Sequence, residues 1–309
     1  MTEPTQWEKD TLQTLLFETL KEQRRKRRWG IFFKLVFFGF IAFFIFLSKH
    51  TQQTTFNRNK PHVAVINIHG IIDDNGQASA NKVITALHDA YEEKNLQAVI
   101  LSINSPGGSS VQSSYMYDEV MRLRTLNKKI PVYAVCEDYC ASGGYYIAAS
   151  AASIYANPGS LVGSIGAMIN GFGAVDALHK LGIERRLITS GSDKGFLDPF
   201  SPLKKTDEAI AQTMLDEVHQ QFIQDVKAGR GDRLKITDDL FSGRAWTGTG
   251  AKPLGLIDGF GSVDKVARDI IKNDNLIRYN DENNLLAQLS GQFGTSFKQA
   301  IQSELITRW

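Results

Sequence analysis

Two cysteines, Cys136 and Cys140, are all that the 309 residues contain, which excludes a disulfide framework and a four-cysteine zinc site. The pair, four positions apart, can be bridged, but two small buried thiols are the expected state. Charge of one sign is also lacking. With 35 Lys and Arg against 33 Asp and Glu, the net charge of +2 gives no electrostatic case for nucleic-acid binding. The sequence has no H-E-x-x-H, no phosphate-cradling G-x-x-x-x-G-K-[ST] and no EF-hand loop, so no metal or other cofactor is expected. The G-x-S-x-G elbow of α/β-hydrolases is absent, and none of the six histidines stands in a Ser/His/Asp signature. S-x-x-K occurs at Ser79, Ser201 and Ser262 without the S-D-N and K-T-G elements that accompany it in β-lactamase-like enzymes. No internal repeat is present.

What is there begins with one long apolar run, "IFFKLVFFGFIAFFIFL" at residues 31–47, flanked by Trp29 and Lys49. At about 1.5 Å per residue, a helix over 29–48 reaches roughly the 30 Å thickness of a bilayer core, so a transmembrane helix is expected. The run exceeds a signal-peptide core, and no small-residue cleavage motif follows it, which favours an uncleaved anchor. Lys21, Arg24, Arg25, Lys26, Arg27 and Arg28 crowd its N-terminal side, so residues 1–28 are expected in the cytoplasm and everything beyond the span outside it. The same basic cluster suits contact with anionic lipid, and Leu12, Leu15, Leu16, Phe17 and Leu20 suit an amphipathic surface helix.

Residues 49–60 are polar and aperiodic, a tether. From 61 the chain alternates short β-branched runs with amphipathic helices: "HVAVINIHG", "QAVILSIN", "IPVYAVC", "SIYAN" and the strand-like "RRLITSG" lie between helical stretches. This pattern predicts an α/β domain of βαβ units with a mostly parallel sheet over 61–268. Ile210, Met214, Val218, Phe222 and Val226 then form one stripe on a long helix, as core or as subunit interface. An amphipathic tail, 269–309, closes the chain.

In such sheets the functional crevice lies at the carboxyl ends of the strands. Two loops there stand out, "SPGGS" after one strand and "YCASGGYY" after the next. Ser142, at a helix start, sits where unpaired N–H groups favour developing negative charge, although a serine there can equally be an N-cap. Gly108 and Gly143 would supply two N–H donors to an oxyanion from adjacent strand ends. A serine nucleophile needs a base, and a lysine serves only if burial or a neighbouring cation lowers its pKa. Lys194, Lys180, Lys204 and Lys205 are not separable by spacing alone.

Taken together and in this order, "NSPGGS", "ASGGYYIA", "GSIGAM", "SGSDKGFLDPFSPL" and "GRAWTGTGAKPLGLIDGFG" resemble the signal peptide peptidase A family of membrane-anchored bacterial serine-lysine peptidases. The resemblance spans roughly residues 63–266. It implies a ClpP/crotonase-like superhelix of ββα units preceded by one transmembrane helix. It places the nucleophile on Ser142, the general base on Lys194, a serine orienting the lysine on Ser164 and an oxyanion donor on Gly108, with Gly143 beside it. It further implies a homo-oligomer, a ring or dome in which neighbouring subunits contribute Ser142 and Lys194. The expected substrates are signal-peptide remnants and other hydrophobic peptides, cleaved on the periplasmic side of the inner membrane. The alternative is a membrane-anchored peptide-binding or scaffold protein with the same fold and no catalysis.

Overall fold

The structure, a computed structural model, describes residues 21, 24–41 and 59–280. The chain divides into two units, 1–56 and 57–309. In the first, residues 24–41 are helical. Among the described residues no helix is long and apolar enough to cross a membrane. Residues 24–28 of this helix are all basic, and 42–48 of the expected span lie outside the described residues.

The second unit is α/β. Strands β1 (His62–His69), β2 (Leu96–Ser105) and β3 (Val132–Ala141) run parallel at its centre, with β8 (Leu276–Arg278) parallel at the edge beside β1. On the other side β3 pairs with β4 (Ser153–Ala156) and β5 (Leu161–Gly163), both parallel. The short strand β6 (Ala245–Thr247) adds antiparallel to β5, and β7 (Gly259–Phe260) adds to β4. Helices α1 (Ala80–Tyr91), α2 (Ser110–Leu126), α3 (Gly143–Ala149) and α4 (Val175–Lys180) follow β1, β2, β3 and β5. The 26-residue α5 (Lys205–Arg230) comes next, followed by the short α6 (Gly248–Ala251) and α7 (Val263–Lys265).

The central strands are apolar on both faces because both are covered. Ala64, Ile66 and Ile68 of β1 enter the larger core with Val83 and Leu87 of α1 and Met116 and Val120 of α2. Val63 and Val65 face the smaller core, closed by Val266, Ala267 and Leu276. Part of the expected tail therefore completes the sheet: Tyr279 Oη meets His62 Nε2 at 3.0 Å, and Asn280 binds the Asn67 backbone through both its amide atoms.

β3 changes partner half-way. Tyr133 to Cys136 pair with β4, whereas Tyr139 to Ala141 pair with β5, and the register against β2 slips between the two halves. Glu137, on this bulge, accepts from Ser102 Oγ at 2.5 Å and lies 3.7 Å from His69. The neighbouring His69 imidazole, above all, and the Ser102 hydrogen bond hold its carboxyl below the usual range. The bulge overturns the expectation of two free thiols. In a regular strand, residues four apart are separated by about 13 Å, but here the Cα atoms of Cys136 and Cys140 stand 5.3 Å apart and the pair is a disulfide.

A second expectation also fails. Among the described residues "RRLITSG" is not a strand. No neighbouring strand offers it a ladder, and Ile188 is 96% exposed.

Candidate active site

The carboxyl ends of β2, β3 and β5 meet around a cavity of about 710 Å³. Its floor is the turn between β3 and α3. Ser142 there has φ 52° and ψ −123°, a conformation rare for any residue with a Cβ and found where surrounding structure over-determines it. The constraint is visible: Ser142 N–H donates to the Gly163 carbonyl at 2.8 Å, tying the turn to β5. Its hydroxyl makes no capping hydrogen bond to α3, so the N-cap reading fails and the side chain is presented to the cavity instead.

The "SPGG" turn packs directly on this serine. A Cβ on Gly107 would stand 2.7 Å from Ser142 Cβ and 3.0 Å from its Oγ, so only glycine permits the approach. Gly108 forms a parallel bridge with Ile72, in which Ile72 N–H donates to the Gly107 carbonyl at 3.0 Å and Ser109 N–H to the Ile72 carbonyl at 2.8 Å. In a parallel bridge the flanking groups are the ones consumed, so the N–H of Gly108 points to the opposite side. On that side lies Gly143, whose missing Cβ would be 3.4 Å from the Gly108 nitrogen. As the first residue of α3, Gly143 carries an N–H with no intrahelical acceptor. The backbone nitrogens of Gly108 and Gly143 thus lie near each other at the cavity that Ser142 lines.

Matches to known protein families cover residues 62–276. Residues 124–276 match peptidase family S49, and residues 62–161 match the Clp protease family. The chain belongs to the signal peptide peptidase A family, S49.

The sequence is 41% identical over 227 residues to Na(+)/H(+) antiporter NhaA of Brucella abortus (strain 2308), which covers 72% of this chain and 31% of that protein. It is 31% identical over 207 residues to Protease 4 of Haemophilus influenzae, covering 66% and 33%. It is 30% identical over 187 residues to the chloroplastic serine protease SPPA of Arabidopsis thaliana, covering 60% and 27%. The chain spans about a third of the length of these curated relatives.

Within this S49 fold the expected site residues divide. Ser142, Ser164, Gly108 and Gly143 all line the one cavity. Ser164, at the end of β5, shares the positive φ of Ser142 at 54°, held by its N–H donating to the Arg244 carbonyl at 2.9 Å. Lys194 does not line the cavity. It is exposed in the turn that closes with its N–H on the Gly191 carbonyl at 3.3 Å. That turn belongs to a stretch ordered by its own contacts, with Arg185 pairing with Asp198 at 3.4 Å and lying over the Phe200 ring at 5.8 Å.

The remaining wall was not legible in the sequence. Met214, Leu215, Val218, His219 and Phe222 of α5 form one side, and Met168, Ile169, Phe241 and Gly243 another. The stripe of α5 is split in use: Phe222 and Val226 are core, while Met214 and Val218 stay exposed in the cavity wall. Tyr146 closes the base of the wall, stacked on Phe222 at 4.5 Å with its hydroxyl donating to the Asp225 carboxylate. Burial, then that hydrogen bond, push the Tyr146 phenol well above its ordinary value, so it stays a neutral donor. No group of three metal-ligating side chains occurs among the described residues.

Proposed function

We propose that this chain is a membrane-anchored serine endopeptidase in which Ser142 is the nucleophile and Lys194 of a neighbouring copy is the general base. The observation that carries the reading is Ser142 itself: a strained, uncapped serine in a mostly apolar cavity, with the Gly108 and Gly143 donors beside it. In the reaction, Lys194 Nζ takes the Ser142 proton, and Oγ bonds to the peptide carbonyl carbon while Gly108 and Gly143 N–H hold the oxyanion. The C–N bond breaks as the lysine ammonium gives its proton to the leaving amine. Water, deprotonated by the same lysine, then attacks the ester carbonyl carbon, the acyl C–Oγ bond breaks, and the lysine ammonium returns its proton to Ser142 Oγ. Ser164 would hold the lysine amine toward the nucleophile. Met168, Ile169, Met214 and Val218 suit apolar side chains of a peptide, which supports hydrophobic peptides, signal-peptide remnants among them, as substrates. The apolar run 29–48 would anchor the enzyme with its N-terminus in the cytoplasm and keep the site close to such peptides.

The test is a fluorophosphonate probe and a fluorogenic hydrophobic peptide applied to the full chain in detergent. The expected result is one phosphonyl group on Ser142 by mass spectrometry and hydrolysis that the probe abolishes. A chain that binds the peptide but is neither labelled nor active would instead be the non-catalytic peptide holder.

Gly108 offers a separate check on the oxyanion arrangement. A Cβ at this position would fall 2.1 Å from the Ile72 carbonyl oxygen, on a backbone with φ 151°. Gly108→Ala must therefore break the bridge and turn its N–H away, lowering kcat by about 10²- to 10³-fold, the loss of one oxyanion donor. A variant that keeps a tenth of the wild-type kcat would remove Gly108 from the mechanism.

A further inference from the structure

The cavity contains one imidazole, and nothing so far gives it a role. His219 projects from the middle of α5, and its Nε2 lies 3.1 Å from the main-chain carbonyl oxygen of Ile165. A carbonyl can only accept, so Nε2 carries the hydrogen and donates it. The same oxygen accepts the Gly243 N–H at 3.0 Å. Ile165 is itself fully buried and directly follows Ser164. One residue on the other side of Ser164 is Gly163, whose carbonyl holds the Ser142 N–H at 2.8 Å. The two positive-φ serines are therefore linked through a three-residue turn, and His219 clamps that turn from across the cavity.

We infer that His219 is a positioning residue of the S49 reaction: by holding the Ile165 carbonyl it fixes the Ser164 turn against α5 and so sets Ser164 relative to Ser142. This inference rests on Ser142 as nucleophile. The donor that does the holding is present in the neutral Nε2–H tautomer and in the imidazolium alike, so the clamp survives protonation. A histidine acting as base would lose its function on protonation. The two roles are thereby separable by pH.

The experiment compares His219→Gln, His219→Leu and His219→Ala in the full-length protein, with kcat and KM measured across pH and the fluorophosphonate labelling rate of Ser142 measured in parallel. A glutamine amide can donate to the same carbonyl, and leucine and alanine cannot. His219→Leu and His219→Ala are expected to lose about tenfold in kcat, the scale of one lost orienting hydrogen bond, with labelling slowed in proportion. KM should stay within about threefold, and His219→Gln should recover kcat to within about threefold of wild type. The acid limb of the pH profile should keep its position in all three variants. The inference is overturned if His219→Gln falls as far as His219→Leu with a displaced acid limb, since the ring would then handle a proton. It is equally overturned if His219→Leu and His219→Ala both keep the wild-type kcat. A wild-type protein that never labels at Ser142 would instead overturn the nucleophile assignment and leave the effect of His219 on the turn to be read from the variants' melting temperatures.

Discussion

Ser142→Ala and Lys194→Ala, each expected to lose at least about 10⁴-fold in kcat when alone, should regain activity when the two inactive chains are co-expressed and purified as a mixed assembly. The first loss follows from removing the nucleophile and the second from removing the base. The recovery follows from where Lys194 stands. In the single chain it is exposed and absent from the cavity that Ser142 and Ser164 line. A lysine that must lose a proton near neutral pH needs burial or a neighbouring cation, and a second copy is the available source of that burial. The domain also exposes large apolar side chains outside the cavity, with Phe172 77% and Ile188 96% exposed. Exposed apolar side chains of this kind suit an interface with another copy. If each site takes its serine from one copy and its lysine from the next, random mixing of equal amounts leaves about a quarter of the sites with both groups intact. A co-purified mixture with no activity would place Lys194 and Ser142 in the same chain's chemistry. A Lys194→Ala protein that keeps its rate would require another base.

How far the sequence foretold this arrangement depended on the range of the interactions involved. β1 and β2 were legible because strands buried on both faces read as apolar runs. "RRLITSG" has the same local composition as a strand, and its not being one depends on the lack of a partner to pair with, which lies outside the segment. The bulge in β3 arises because β4 and β5 both claim the same edge of one strand, and this hid the approach of Cys136 to Cys140. Ser142 could be placed at a strand-to-helix turn. Its positive φ could not, because the constraint is a hydrogen bond to Gly163, which no pattern around Ser142 encodes. Lys194 was singled out among four lysines only by family resemblance. His219 carried no signal because its partner is a main-chain carbonyl 54 residues away.

The stability of the cavity wall turns on a charge that the core encloses. Arg230, the last residue of α5, is 1% exposed and forks onto Asp258, with Nη1 to Oδ2 at 2.8 Å and Nη2 to Oδ1 at 3.0 Å. Nε and Nη2 also donate to the Gly255 carbonyl at 3.0 and 2.7 Å. Asp258 also accepts the Ile154 N–H of β4 at 2.7 Å, so the pair joins the end of α5 to the sheet. This end of the helix is anchored while Ile210 and Met214 near its start are exposed. Asp258→Asn leaves the guanidinium buried without its counter-charge and should lower unfolding free energy by about 3–5 kcal/mol in urea titrations. Arg230→Met in the Asp258→Asn background should restore much of that loss, because a matched apolar replacement removes the stranded cation. The effect has a defined pH window. Burial alone would raise the Asp258 carboxyl, but its hydrogen bonds to Arg230 and Ile154, with the charges of Arg230 and Arg233, outweigh burial and hold it below its ordinary value. A carboxyl depressed on folding contributes stability that is complete above its unfolded pKa of about 3.9 and fades as pH falls through the lower folded value. The gap between wild type and Asp258→Asn should therefore be constant from neutral pH down to about 5 and close at more acid pH. A gap under about 1 kcal/mol at pH 7 would mean that the Gly255 carbonyl and the amide oxygen introduced at position 258 satisfy Arg230 without a counter-charge, and that something other than this ion pair holds the α5 wall in place.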